Sequence, residues 1–114
     1  MNDKNCLFCK IIQGTIPSSK VYENEFVFAF RDIAPKAPTH VLVCPKVHHA
    51  GVHELSDLSI MQKIFEGVNA IIAQENLAAD GYRLVVNYGA RGGQAVPHIH
   101  VHVFGGRDMS WPPG

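Results

Sequence analysis

The sequence lacks an excess of charge of either sign, because ten lysine and arginine residues balance ten aspartate and glutamate residues. It also lacks any run of basic residues, which argues against nucleic acid or an anionic membrane as a partner. No long apolar stretch follows the polar start MNDKNC, so we expect neither a signal peptide nor a transmembrane helix and predict a cytoplasmic protein. These absences favour a small ligand.

Cysteine is scarce as well, with three residues in the chain, an odd number. Cys6 and Cys9 form a CxxC pair, and we expect Cys44 to be buried. In a reducing compartment the CxxC spacing favours metal binding or redox chemistry over a structural disulfide. A pair of reduced thiols near the start of a helix is the alternative, and the spacing alone does not separate the two.

Short elements fill the first half of the chain, which we expect to form one domain over residues 1–114. An apolar run at residues 7–13 stops at Gly14, which predicts a short helix within the N-terminal region 1–14. Residues 21–30 predict two strands around a turn at residues 23–25, and residues 39–44 predict a further strand. The proline-containing stretch 34–38 is expected to be a loop.

A long amphipathic helix is the clearest element of the second half. Apolar residues recur there at spacings of three and four, namely Leu58, Met61, Ile64, Phe65, Val68, Ile71 and Ile72. We expect Ser56 to cap this helix, with Leu55 and Ile60 packing around the cap. A strand at 82–88 and a glycine-containing loop at 89–97 follow. The pattern predicts an α+β domain with an antiparallel sheet of about five strands.

Residues 98–104 have the sequence HIHVHVF, in which three histidines alternate with apolar residues. In a strand, alternate side chains share one face, so three imidazoles would line one face while aliphatic residues bury the other. A solvent-facing strand that happens to contain histidine is the simpler alternative. Three of seven histidines at alternate positions argue against it.

Histidines in a row suit chemistry at phosphorus. If a backbone carbonyl holds one ring nitrogen protonated, the other nitrogen presents its lone pair to an electrophile. His100, in the middle, is best placed, since the flanking imidazoles can donate to phosphate oxygens. The loop 89–94 would add backbone N–H groups, although it could equally be a flexible connector. A zinc enzyme built on the HxHxH face is an alternative that lacks an obvious third ligand.

The run at 98–104 resembles the signature of the histidine-triad family, and the resemblance covers essentially the whole chain. Further stretches resemble family landmarks in the expected order, at residues 32–33, 37–40, 45–46, 87, 92–94 and 105–107. The ending WPPG, within the tail 107–114, resembles the Hint branch, the nucleoside phosphoramidases. It is less similar to the Fhit dinucleotide hydrolases or to the transferases.

The resemblance implies hydrolysis of a purine nucleoside 5′-phosphoramidate of the adenosine 5′-monophosphoramidate type, or of a related adenylate such as an aminoacyl-adenylate. The reaction would pass through a covalent nucleotidyl-histidine and need no cofactor. His100 would be the nucleophile, with His98 and His102 as its phosphate-side partners and His40 in support. The implied substrate contacts are Phe8, Asp32, Ile33, Asn87, Gly93, Gln94, Ala95, His100, His102 and Trp111. Asp32 would hold the ribose hydroxyls, and the family implies a homodimer with one continuous sheet.

Two features qualify these implications. Ala95 stands where Hint proteins usually have a serine thought to assist the leaving amine, and Pro97 stands where an aromatic residue is common. Ala95 motivates one alternative, a nucleotide-binding or scaffold protein with weak turnover, and a Fhit-like dinucleotide hydrolase is kept as a second. Bacterial relatives with a CxxC motif imply a structural zinc site at Cys6, Cys9, His48 and His98. His49 is the other candidate in its doublet, and His53 has no assigned role.

Overall fold

The structure, a computed structural model, describes residues 3–114. Residues 1 and 2, which belong to the predicted domain and its polar start, lie outside the described residues. The elements are α1 (Leu7–Gln13), β1 (Lys20–Glu23), β2 (Val27–Arg31), β3 (Thr39–Pro45), a 3-10 turn (Val52–Glu54), α2 (Ser59–Gln74), β4 (Tyr82–Val85) and β5 (Val101–Gly105). The predicted α+β class, with one short and one long helix, is confirmed. The homodimer stays a prediction.

The strands form one antiparallel sheet in the order β1-β2-β3-β5-β4. Strand β3 lies in the centre and pairs with β2 on one side and β5 on the other. In this register His40 lies opposite Phe104 and Leu42 lies opposite His102. Because side chains alternate along a strand, the pairing places His40 and His102 on the same face of the sheet.

The two faces of the sheet carry different layers. Helix α2 packs on the face formed by Val41, Val43, Val101 and Val103, all fully buried. It approaches closely at Gly67, where a Cβ atom would lie 3.0 Å from side-chain carbons of the sheet. Helix α1 packs on the opposite face, in a cluster formed by Cys6, Phe8, Cys9, Ile11, Phe28, Phe30, Leu42 and Cys44. The histidines share this second face.

Two boundaries differ from the prediction. Helix α2 begins at Ser59 with Leu58 at its cap position and no side-chain cap, so the prediction that Ser56 caps the helix is wrong. The Asp57 carboxylate instead accepts a hydrogen bond from the Ser59 amide at 3.0 Å. Leu55 and Ile60 do belong to the same apolar cluster.

Strands β4 and β5 are shorter than the strands predicted at residues 82–88 and 98–104. The ladder between β4 and β5 ends at the pair Val85 and His102. Upstream of it, the Ile99 amide donates to the His49 carbonyl at 2.6 Å, so this segment pairs with the loop after β3. Among residues 3–114, no helix combines the length and hydrophobicity needed to span a bilayer. The cytoplasmic location stays a prediction.

Candidate functional site

A cavity of about 690 Å³ opens on the face of the sheet that α1 partly covers. Eight residues named from the sequence line it, namely Phe8, Asp32, Ile33, Asn87, Gly93, Ala95, His100 and His102. Ten further residues complete the lining, namely Leu7, Ile11, Ile16, Pro17, Ser18, Ser19, Phe30, Arg31, Leu42 and Val96. The cavity therefore combines an apolar lining with a few polar groups, as expected of a small-molecule site.

The sequence pattern could have predicted some of these additional lining residues. Ile11 lies three positions after Phe8 on α1, and residues at that spacing share a helix face. Phe30 and Leu42 are opposite each other in the β2–β3 register. That pairing follows from how the strands align, which the local pattern of either strand does not contain.

His100 is held as a neutral ring in a single tautomer. Its Nδ1 lies 2.6 Å from the carbonyl oxygen of His98, so Nδ1 carries the proton and donates it to that carbonyl. Nε2 is then the unprotonated nitrogen. Burial lowers the pKa of His100, which favours the neutral ring further. The ring of Phe8 packs edge-on against it, with centroids 4.9 Å apart.

A chain of hydrogen bonds sets the protonation of His102. The backbone amide of Lys36 donates to His40 Nδ1 at 3.1 Å, so His40 carries its proton on Nε2. That nitrogen lies 3.0 Å from His102 Nδ1, which therefore accepts. His102 is left with a proton on Nε2. Its pKa is lowered to about 4, mainly by burial and by the nearby His100 and His40, so the ring is neutral near pH 7.

Asp32 contributes a fixed carboxylate to the cavity lining. Its Oδ1 accepts a hydrogen bond from the Ala34 amide at 2.8 Å, and its Oδ2 lies 3.5 Å from His40 Nε2. The neighbouring Ile33 is fully exposed, so its side chain is free to contact a ligand. A held carboxylate beside an exposed aliphatic side chain is suited to a sugar with vicinal hydroxyls.

Four of the residues named as catalytic or substrate-binding lie outside the lining of this cavity, namely His40, Gln94, Trp111 and His98. His40 is buried behind His102 and acts on it through the hydrogen bond described above. Gln94 is engaged in its own loop, since its amide oxygen accepts from the Gly89 amide at 3.2 Å and its Nε2 donates to the Ala50 carbonyl at 2.7 Å. Trp111 is 80% exposed.

His98 departs most from the expected phosphate-side role. Its side chain is completely buried and turns away from the cavity. Nε2 lies 2.8 Å from the Pro45 carbonyl oxygen and donates to it, so Nδ1 is the nitrogen with the lone pair. Burial lowers the pKa of His98 to about 4. The ring therefore presents a neutral donor atom toward α1.

That donor atom meets three others in a tight group, the Cys/His cluster of Cys6, Cys9, His48 and His98. His98 Nδ1 lies 3.4 Å from Cys6 Sγ, 3.5 Å from Cys9 Sγ and 3.2 Å from His48 Nδ1. Cys9 Sγ lies 3.5 Å from His48 Nδ1. Within the part of the chain that is described, His49 and His53 are not in the cluster.

These separations fit a tetrahedral zinc ion. With Zn–N and Zn–S bonds of roughly 2.05 and 2.3 Å, a regular site has N···N edges of about 3.3 Å and N···S edges of about 3.6 Å. The donor set is two thiols and two imidazoles, which zinc prefers. The bond from His98 Nε2 to a backbone carbonyl is the kind of contact that orients a metal-bound histidine. Burial raises the pKa of the Cys9 thiol, an effect that a bound cation opposes.

Comparison with known proteins places the chain in a family. A family model described as the HIT domain matches residues 13–109. The chain belongs to the HIT domain family. A 14 kDa zinc-binding protein of Zea mays is 47% identical over 118 residues, with 100% of this chain and 91% of that protein covered. Adenylylsulfatase HINT1 of Arabidopsis thaliana is 43% identical, with 99% and 79% covered.

Solved structures of HIT proteins share the fold. The crystal structure of a HIT family hydrolase from Legionella pneumophila Philadelphia 1 matches with a TM-score of 0.92 and 48% identity, covering 96% of this chain and 100% of that one. The histidine-triad resemblance read from residues 98–104 is thereby confirmed at the level of the family.

Proposed function

We propose that this HIT protein belongs to the Hint branch and hydrolyses the P–N bond of purine nucleoside 5′-phosphoramidates through a nucleotidyl-His100 intermediate. The observation that carries the proposal is the hydrogen bond from His100 Nδ1 to the His98 carbonyl at 2.6 Å. It leaves Nε2 with a free lone pair on a ring that lines the cavity. A buried neutral imidazole held in one tautomer is what nucleophilic catalysis by histidine requires.

A nucleoside monophosphate suits the cavity in size and chemistry. Its volume of about 690 Å³ is within the usual range for small-molecule sites. Phe8, Phe30 and Leu42 supply apolar surface for a base, while the Asp32 carboxylate can accept from two ribose hydroxyls. His102 Nε2–H adds a donor for a phosphate oxygen.

The chemistry divides into two displacements at phosphorus. His100 Nε2 forms a bond to phosphorus, the P–N bond breaks, and its electron pair goes to the leaving nitrogen, which takes a proton from water. The retained Nδ1–H bond to the His98 carbonyl stabilises the charge that the ring gains. Water then attacks phosphorus, the bond to Nε2 breaks, and the nucleoside monophosphate leaves with loss of a proton to solvent.

A second candidate substrate class follows from Ala95. This residue lines the cavity and offers no hydroxyl to the leaving group. An amine needs a proton as it leaves, whereas sulfate or a carboxylate leaves as a stable anion. The missing hydroxyl therefore favours nucleotidyl anhydrides, such as adenylyl sulfate and aminoacyl-adenylates. The Arabidopsis relative named adenylylsulfatase supports including this class.

The Cys/His cluster is our candidate for a structural zinc site. Four protein ligands would complete the coordination, as in sites that stabilise folds. When bound, the ion supplies a cross-link between α1 and the segment that contains His98. The zinc-binding name of the maize relative supports the assignment.

The deciding experiment is intact-protein mass spectrometry after incubation with adenosine 5′-phosphoramidate and an alkaline quench. We expect an increase in mass of one adenylyl group, which the His100→Ala protein does not show, together with loss of turnover in that variant. His53→Ala is the matched control, because its ring packs on Tyr88 away from the cavity and the adduct should persist.

Other outcomes would identify the alternatives. Binding of AMP without an adduct or turnover would favour the nucleotide-binding or scaffold protein. Faster cleavage of diadenosine polyphosphates than of phosphoramidates would favour the Fhit-like hydrolase. Turnover near that of the wild type in His100→Ala would contradict the covalent mechanism.

A further inference from the structure

His98 connects the Cys/His cluster directly to the proposed nucleophile. Its Nδ1 belongs to the cluster, while its backbone carbonyl accepts the hydrogen bond from His100 Nδ1 at 2.6 Å. One completely buried residue therefore contacts both groups, and a single residue, Ile99, separates His98 from the histidine proposed to react. Because the His98 ring is also bonded to the Pro45 carbonyl at 2.8 Å, its position is fixed from three directions.

A second connection runs through α1. Cys6 and Cys9 flank Phe8, and Cys6 also caps the helix by accepting from the Cys9 amide at 3.4 Å. The Phe8 ring lies 4.9 Å from the His100 ring and 5.3 Å from the Phe30 ring, centroid to centroid. Phe8 also lines the cavity. Helix α1 and its cap residue, which supply two donor atoms of the cluster, thus form the wall against which the His100 ring packs.

Resting on the proposed function, we infer that the Cys/His cluster positions the nucleophile. Cys6, Cys9 and His48, when they hold a metal ion, act through His98 to fix the tautomer of His100 and through α1 to seat Phe8 against its ring. They are positioning residues, since none of the three lines the cavity. Metal occupancy would then change the rate of nucleotidyl transfer more than it changes nucleotide affinity, because Phe30 and Leu42 on the sheet and Asp32 just after β2 contribute ribose and base contacts that do not depend on α1.

The test uses His48, a ligand that lies outside α1. His48→Ala removes one donor, whereas His48→Cys keeps four donors as a Cys₃His set that also binds zinc. We expect His48→Ala to form the adenylyl adduct roughly 10- to 100-fold more slowly, as when partners that orient metal ligands are removed. The AMP dissociation constant from calorimetry should change much less. His48→Cys with zinc should recover most of the rate.

A spectroscopic readout separates positioning from general stabilisation. In ¹⁵N-labelled protein, zinc-loaded wild type and His48→Cys should show His100 with the proton on Nδ1, while His48→Ala should show a mixture of tautomers. Cys44→Ala is the matched control, because Cys44 is a buried cysteine whose thiol donates to the Phe28 carbonyl outside the cluster. Its His100 resonances and adduct rate should match the wild type.

Several outcomes would overturn the inference. Unchanged His100 resonances in His48→Ala, or equal losses of rate and AMP affinity, would make the cluster a purely structural site. If His48→Ala does not fold, wild type loaded with zinc is compared with wild type loaded with the larger Cd²⁺. The His100 Nδ1–H resonance should then shift, and identical spectra would contradict the inference. Absence of any adduct in zinc-loaded wild type would refute the proposed function, while the spectra would still decide the role of the cluster.

Discussion

His100 and His102 are chemically identical side chains that the protein holds in opposite tautomers. A backbone carbonyl accepts from Nδ1 of His100, whereas His40 donates to Nδ1 of His102. The first arrangement exposes a lone pair on Nε2 and the second exposes a proton there. The same side chain therefore offers a free lone pair at position 100 and a hydrogen-bond donor at position 102, because the hydrogen-bond partners of the two rings differ.

A hydroxyl introduced at position 95 tests whether this position assists departure of the leaving amine. In Ala95→Ser, which alters the cavity lining, phosphoramidate hydrolysis should rise by several-fold, since one added hydrogen bond contributes about 1 kcal/mol to the transition state. Steady-state kinetics with adenosine 5′-phosphoramidate measure the gain. Adenylyl sulfate is the control substrate, because its leaving group needs no proton. Equal gains on both substrates would contradict the argument.

The buried histidines also predict how stability depends on pH. The folded-state pKa of His102 is lowered to about 4, whereas an unfolded histidine titrates near pH 6.5. Between these values the unfolded chain binds more protons, so the free energy of unfolding should decrease as pH falls from about 6.5. Urea titrations at stepped pH measure it. In His102→Asn the unfolding free energy should decrease less steeply as pH falls. If that variant shows the same pH dependence as the wild type, the low pKa does not belong to His102.

At the scale of elements, the sequence predicted the pattern of the histidine segment but not its limits. The alternation at 98–104 correctly predicted that Ile99, Val101 and Val103 are buried on the far face. It also predicted a strand from His98, whereas β5 begins at Val101. The reason is a contact distant in sequence, the bond from the Ile99 amide to the His49 carbonyl. Local periodicity contains no information about that partner.

The geometry of the Cys/His cluster could not be predicted from local spacing either. The spacing of Cys6 and Cys9 indicated either a metal site or free thiols, and the fold brings both sulfurs within 3.5 Å of His98 Nδ1. Ligand separations of this kind depend on how α1 packs on the sheet. Which histidine of the doublet joins the Cys/His cluster, His48 and not His49, likewise depends on the path of the loop after β3.

Helix α1 should depend on metal for its attachment to the sheet. Protein purified without chelator should contain close to one zinc ion per chain, and the double variant Cys6→Ser, Cys9→Ser should contain none. Because metal binding is coupled to folding, its Tm should fall, by roughly 4 °C or more for each kcal/mol lost. Elemental analysis and calorimetry provide the measurements. Cys44→Ala should keep its zinc. If the wild type contains no metal and the double variant has the same Tm, Cys6 and Cys9 are ordinary thiols.

At the scale of the whole molecule, one edge of the sheet is available for assembly. Strand β4 is the last in the order and, among residues 3–114, pairs only with β5. Three large apolar side chains on β4 or just after it are exposed, namely Tyr82, Val86 and Tyr88. An unpaired edge with exposed apolar groups favours pairing with another strand. We therefore retain the homodimer with a continuous sheet as a proposal.

The C-terminal tail lies beside this edge. Arg83 on β4 donates to the Ser110 carbonyl at 2.9 Å, which holds the chain next to the strand just before Trp111. Trp111 is 80% exposed and does not line the cavity of its own chain. A large apolar side chain anchored at a pairing edge is well placed to contact a second subunit. We propose that it lies near the partner's nucleotide cavity and influences which leaving groups are accepted.

Deletion of residues 111–114 tests that placement. The truncated protein should keep the Tm and the sedimentation coefficient of the full-length protein, because the deleted side chains are exposed within their own chain and the proposed pairing strand β4 is left intact. Its relative rates on phosphoramidates with small and bulky amines should change, since a wall of the leaving-group site is removed. In the full-length protein, fluorescence of Trp111, the only tryptophan, should respond to AMP. If the truncated protein keeps the substrate preferences of the full-length protein and AMP does not change the Trp111 fluorescence, the tail has no part in the site.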